Sequence, residues 1–134
     1  MQRKAWGLFT ALAVVCATVP LCAQAAVVGP DVSARMSRGE TQYVLVLLKR
    51  DTLPRWNTPT FSFRDKDVKA AIAEQQKRVI TGLQGRGWTT RYRYRAIPML
   101  SGWATPDAVK ALSADPEVAA VGRDTTIRAN TGSA

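Results

Sequence analysis

The sequence predicts a small α+β domain, and three observations support this fold class. Residues 43–49, 89–95, 99–104 and 118–121 have the apolar runs or the alternation that are typical of strands. Residues 65–82 and 105–114 repeat apolar side chains every three or four positions, as amphipathic helices do. The resulting order βαββαβ is that of a split βαβ, ferredoxin-like sandwich, in which two helices cover one face of a four-stranded antiparallel sheet.

The segments before the first strand predict export. Arg3 and Lys4 precede an apolar run at residues 8–21, and Ala23 and Ala25 are the small residues that a signal peptidase requires. The run is shorter than the roughly 20 residues that span a bilayer, so a membrane anchor is disfavoured. We expect residues 1–25 to be removed as a signal peptide. The mature protein should then be secreted or periplasmic, without stable insertion into a membrane. Residues 26–42 lack a sustained period and predict a flexible leader.

The first strand and the loop after it have different characters. Residues 43–49 are apolar on both faces, which predicts a central strand. Residues 50–64 form a connection longer than most, with two prolines and the aromatic side chains of Trp56, Phe61 and Phe63. We expect this loop to pack on the domain in part, although a functional loop is an open alternative.

The first helix is predicted to start at Asp65 or Asp67, because a short carboxylate can accept the free amide hydrogens of a first turn. Gly82 and the glycines after it predict its end. Its apolar stripe contains one polar member, Gln75, and consists of Val68, Ala71, Ile72, Gln75, Val79 and Leu83.

Residues 89–95 predict a strand with Thr90, Tyr92 and Tyr94 on one face and three arginines on the other. After the apolar run 99–104, Thr105 predicts a helix cap with Pro106 in the first turn, and Asp115 with Pro116 predicts the stop before the last strand. The sheet face without helices is expected to mix apolar and Arg side chains, which makes it a candidate docking surface.

Composition argues against catalysis and against metal or cofactor sites. The chain has no His, and its two cysteines, Cys16 and Cys22, lie within the predicted signal. The formal net charge of +9 suits an acidic protein, a membrane surface or nucleic acid, and secretion makes nucleic acid the weakest of these. The aromatic motif of RNA-recognition domains is not matched. We therefore expect no enzyme, no cofactor, no metal and no nucleic-acid partner.

Residues 43–130 resemble the propeptide of subtilisin-like serine proteases. The similarity rests on the first strand, the helix ending at Gly82, residues 94–104, the helix 108–112, the Asp115-Pro116 turn with its following valines, and Asp124. The resemblance implies a protease inhibitor or folding chaperone whose sheet docks on two surface helices of the protease, as a monomer in a 1:1 complex. It also implies that the tail runs into the active site as a product would.

The same resemblance implies the binding residues. Ile127, Arg128, Ala129 and Asn130 fall where the last propeptide residues lie, with Asn130 nearest the catalytic serine. Asp124 matches an acidic residue that caps one protease helix, which is favourable because a helix N-terminus carries partial positive charge. The chain departs from the family at Gly122, where a Glu is common.

A further departure concerns the C-terminus, since four residues follow Asn130 and no catalytic domain does. We therefore expect the protein to act in trans on a separate subtilisin-like serine protease, as an inhibitor, as a folding chaperone, or as both. The alternative is a secreted ferredoxin-like binding module with no protease target.

Overall fold

The computed structural model describes residues 25–123 as an α+β domain. Its elements in chain order are β1 Val27–Val28, α1 Pro30–Ser37, β2 Gln42–Leu48, α2 Lys66–Gly82, β3 Trp88–Arg93, β4 Met99–Ala104, α3 Pro106–Ala114 and β5 Val118–Arg123. The six elements from β2 to β5 follow the predicted order.

The sheet has five strands in the order β1-β5-β2-β4-β3. Strand β1 pairs parallel to β5, whereas the other pairings are antiparallel. The prediction of a four-stranded antiparallel sheet with two helices is therefore wrong in its counts, because this part of the chain forms a mixed five-stranded sheet with three helices. The central position predicted for the first strand is confirmed, since β2 lies between β5 and β4.

The additional strand and helix lie in residues 26–42, so the prediction of a flexible leader is wrong for this segment. Val32 of α1 is fully buried, and Gln42 Nε2 donates to the Val32 carbonyl at 3.0 Å. The buried Ala26 donates its amide to the Ser113 carbonyl at 3.2 Å, at the end of α3. A two-residue strand shows no period, and Pro30 is compatible with the first turn of a helix. Tertiary contacts therefore determine the structure of this segment, and such contacts cannot be inferred from the local sequence pattern.

The core lies between the sheet and its helices. Leu48, Leu100 and Leu112, from β2, β4 and α3, are fully buried. Burial of each such side chain contributes about 1.5–3 kcal/mol. The predicted stripe of α2 is confirmed, and its polar member Gln75 is 1% exposed, with Nε2 donating to the Lys49 carbonyl at 2.7 Å.

The predicted cap of α3 is confirmed. Thr105 Oγ1 accepts from the Ala108 amide at 3.3 Å and donates to the Arg86 carbonyl at 2.7 Å. Gly87 has φ +80°, and a Cβ at this position would collide with the Thr105 side chain. Glycine is thus required where the chain entering β3 passes the start of α3.

The long loop before α2 packs on the domain, as predicted. Leu53 is 4% exposed and forms a small cluster with Val68 and Ile72 of α2. Trp56, Phe61 and Phe63 pack against this cluster. Their rings also contact one another edge to face, with centroids 5.0 Å apart between Trp56 and Phe61 and 4.9 Å apart between Phe61 and Phe63. The loop and α2 thus form a second, smaller apolar cluster beside the main core.

An ion-pair clamp joins this loop to the start of α2. Arg55 donates to both carboxylate oxygens of Asp67 at 2.6 and 2.9 Å and to Asp65 at 3.0 Å. These hydrogen bonds raise the pKa of Arg55 and hold the pKa of Asp67 below its usual range. Helix α2 begins at Lys66, so both predicted starting residues lie at its N-terminus, but the carboxylates are engaged mainly by Arg55.

Candidate docking face

One face of the sheet carries no helix among residues 25–123, and we call it the open face. Strand register assigns its members, because residues that pair directly across strands point to the same side. Starting from Tyr43, Leu45 and Leu47 of β2, the pairing extends to all five strands. The open face consists of Val27, Tyr43, Leu45, Leu47, Thr89, Tyr92, Met99, Ser101, Trp103, Ala120 and Gly122.

None of these side chains is charged, in a chain whose formal net charge is +9. The half-buried leucines of β2 lie in the middle, and the exposed rings of Trp103 and Tyr92 lie toward β3. Trp103 is 50% exposed and Tyr92 is 58% exposed. An antiparallel sheet commonly presents polar side chains on its solvent face, so an uncharged, aromatic face indicates a surface for binding.

The aromatic side chains are held in place by their neighbours. Tyr43 and Trp103 pair across β2 and β4 and pack edge to face, with centroids 5.5 Å apart and an interplanar angle of 73°. The Tyr43 hydroxyl donates to Ser101 Oγ at 2.7 Å. This hydrogen bond also gives the buried Ser101 hydroxyl a partner. This part of the face is therefore ordered before any partner binds, which lowers the entropy cost of association.

The predicted alternation in β3 is wrong, because the register shifts between Thr90 and Tyr92. Thr90 accepts from Trp88 Nε1 at 2.7 Å and pairs with Gly102, on the helical side, whereas Tyr92 pairs with Ser101 on the open face. A bulge adds one residue to a strand and so ends strict alternation.

The bulge also separates the arginines that were expected to share a face. Arg93 pairs with Leu100 and donates Nη2 to the Ala73 carbonyl of α2 at 3.1 Å, so it lies on the helical side. The Arg91 guanidinium carbon lies 5.5 Å from the centroid of the Tyr92 ring. The open face thus has one arginine against its rim and lacks the expected arginine row.

Strand β5 contributes Gly122 to this face, whereas Arg123 after it pairs with Val44 and points to the helical side. Gly122 pairs with Leu45, and a Cβ at Gly122 would meet no atom within 4 Å. Arg123 is the last described residue and is exposed. The predicted binding residues Asp124, Ile127, Arg128, Ala129 and Asn130 follow it and lie outside the described residues.

Trp103, Tyr43 and Ser101, which form the ordered group on the open face, were not predicted as site residues from the sequence. The available signal was the alternation of Met99, Ser101 and Trp103 with the buried positions between them. That run is apolar on both sides, so its pattern did not distinguish the face toward the helices from the open one.

Comparisons with protein-family models, with curated proteins and with solved structures found no match to the chain. None of the helices in residues 25–123 combines the length and the apolar content that are needed to cross a membrane.

Proposed function

We propose that the chain is a secreted or periplasmic, propeptide-like inhibitor of a subtilisin-like serine protease. It acts in trans as a monomer in a 1:1 complex, and it can also assist folding of the protease. In this proposal the open face docks on two surface helices of the protease, Asp124 caps one of these helices, and the tail from residue 125 onward enters the active-site cleft. The observation that carries the proposal is the uncharged, aromatic open face on a strongly basic chain.

The arrangement of the elements from β2 to β5 supports a ferredoxin-like core within the larger sheet. Their strands lie side by side in the order β5-β2-β4-β3 with antiparallel pairing throughout. Buried positions of α2 and α3 join one core with the same side of the sheet. We propose that β1 and α1 are additions to this βαββαβ unit.

The start of the folded part supports the proposed processing site. Ala25 is exposed, whereas Ala26 is buried against the end of α3. Cleavage between them would leave all of the packed residues in the mature protein. N-terminal sequencing of exported protein should give Ala26, and recovery of Met1 would contradict the proposal.

The position of β5 supports the route of the tail. Gly122 lies on the open face and Arg123 ends the same strand, so a sheet docked through this face would bring the following residues close to the same partner. An extended tail can add to the edge strands of a protease cleft, and pockets can select Ile127, Arg128, Ala129 and Asn130.

Inhibition of a purified subtilisin by the mature chain tests the proposal. The full chain should reduce peptidase activity, whereas truncation after Asp124 should abolish the blockade and leave weaker binding to the protease. A standard interface of roughly 800 Å² per partner would account for the residual binding. Equal inhibition by the truncated chain would exclude the tail mechanism.

Binding to a protease whose active site is covalently blocked distinguishes docking of the open face from occupation of the cleft. The truncated chain should bind the blocked and the free protease equally, because it uses only the open face. The second candidate function is a secreted ferredoxin-like binding module without a protease target, and the same open face favours it. Absence of binding to both protease forms would support that alternative.

A further inference from the structure

Two surface clefts near the helices differ in their charge. The first lies between α2 and the end of β3, has a volume of about 560 Å³, and has Lys69, Arg93 and Arg95 as its charged lining. The second, of about 390 Å³, contains Arg86 and Lys110 together with Asp107 and Asp115. Exposed cations are ordinary in a basic chain, and in the second cleft acids balance them. In the first, which we call the basic cleft, the lining drawn from residues 25–123 has three cations and no acid.

Hydrogen bonds hold the walls of the basic cleft together. Gln76 of α2 is 3% exposed, and its Nε2 donates to the carbonyls of Tyr94 at 2.7 Å and Met99 at 2.9 Å. Arg93 is fixed from the opposite wall by its hydrogen bond to the Ala73 carbonyl at 3.1 Å. The backbone that bears the cations is therefore ordered before a ligand arrives, which reduces the entropy lost on binding.

The α2 side of the cleft, which we call its floor, is apolar: Ala70 and Ala73 are exposed there, and Ile72, which also lines the cleft, is 1% exposed. A small inorganic anion would use the cations but leave this floor uncovered. An acidic peptide would satisfy both, since its methylene groups would cover the floor while its carboxylates pair with the lysine and arginines. Lining and charge together therefore favour a peptide carboxylate over a free anion.

We propose that the basic cleft binds an acidic peptide segment of a partner protein, with Lys69, Arg93 and Arg95 pairing with its carboxylates. Arg93 reaches the cleft from the helical side of β3, so the site faces away from the open face. The inference does not depend on the proposed protease docking, and both surfaces can be occupied in the same molecule.

Fluorescence anisotropy with a labelled peptide of alternating Glu and Leu tests this site on the full chain. The triple variant K69Q/R93Q/R95Q should weaken binding about tenfold or more, because three charge pairs are lost together. The control K77Q/R86Q/K110Q removes the same charge from exposed positions outside the cleft and should change the affinity by about twofold at most. Equal losses in both variants would show attraction to net charge and overturn the proposal.

A second pair of variants keeps all three cations. Ala73→Glu places a carboxylate of the chain itself in the cleft, whereas Ala73→Gln introduces a side chain of the same size without charge. Ala73 is an exposed helix position, and circular dichroism can verify that both variants fold. The glutamate should weaken peptide binding more than the glutamine does. An equal effect of the two would contradict recognition of carboxylates.

Competition identifies the class of ligand. Unlabelled acidic peptide should displace the labelled peptide at lower concentration than inorganic phosphate or a single-stranded RNA of equal charge. Stronger displacement by phosphate would overturn the peptide assignment in favour of a free oxyanion. Stronger displacement by RNA would overturn it in favour of nucleic acid.

Discussion

The two faces of β2 differ although they belong to one strand of nearly uniform apolar composition. Val44, Val46 and Leu48 are fully buried under the helices, whereas the alternate side chains on the open face are only half-buried. Burial on the helical side stabilises the fold. On the open side the strand retains apolar surface that folding does not remove from water, so this surface is available to a partner. Substitutions should therefore have different consequences on the two sides.

The largest effect on stability is expected on the helical side. Leu100→Ala should lower the free energy of unfolding by about 2–5 kcal/mol, since it removes a fully buried side chain and leaves a cavity between β4 and the helices. Urea unfolding followed by circular dichroism measures this change. A loss below about 1 kcal/mol would mean that the two faces of the sheet do not differ as the burial indicates.

The open face should show the opposite balance. In the proposed complex, Trp103→Ala should reduce protease affinity by about 2 kcal/mol, because tryptophan is among the most frequent hot-spot residues and its ring is already ordered by Tyr43. Its effect on stability should be smaller than that of Leu100→Ala, as half of the ring is already exposed. Inhibition and urea unfolding measured on the same protein separate the two effects. A large loss of stability with unchanged inhibition would assign Trp103 to the fold and remove it from the interface.

Much of the fold could be predicted from the sequence because its long elements have a clear period. The stripe of α2, the cap at Thr105 and the apolar β2 are strong local signals, and the structure confirms them. Strand β1 has two residues and exists through its pairing with β5, so no local pattern could indicate it. The bulge in β3 also depends on the partner strand, which explains why alternation assigned the arginines to the wrong sides.

The candidate site was less predictable. The open sheet face was predicted from the βαββαβ topology, which places both helices on one side. Which side chains lie on it depended on strand register. Trp103 and Tyr43 are far apart in the sequence and meet only through the pairing of β2 with β4. The roles of Asp124 and of the tail residues 127–130 were inferred from the family resemblance alone, and they stay predictions.

A gain of affinity at the rim of the open face would sharpen the contrast between the faces. Gly122→Glu introduces the acidic residue that the resembled family commonly has, at a position where a Cβ meets no atom within 4 Å. The carboxylate should strengthen binding to a protease helix N-terminus by about 0.3–1 kcal/mol. Gly122→Gln is the uncharged control, and inhibition at low and high salt is the measurement. Equal effects of Glu and Gln would argue against a helix cap at this position.

The smallest expected effect concerns the loop clamp beside α2, which belongs to the helical side. Hydrogen bonds from Arg55 hold the pKa of Asp67 below its usual range, so the folded state favours the carboxylate more than the unfolded state does. This contribution is fully present above the unfolded pKa, about 4, and is lost as the pH falls through the lower folded pKa.

Asp67→Asn should therefore lower the melting temperature slightly at pH 7, and the difference from the unmodified protein should shrink as the pH falls toward about 2. The exposure of the pair and screening by salt keep the effect small. Thermal unfolding followed by Trp fluorescence measures the difference, with Glu74→Gln on the same helix as the control. A difference in melting temperature that widened on acidification would contradict the clamp, because it would mean that protonation of Asp67 stabilises the folded state. Inhibition of the protease should be unchanged in either case, since Arg55 and Asp67 lie in the loop and helix that pack on the covered side of the sheet.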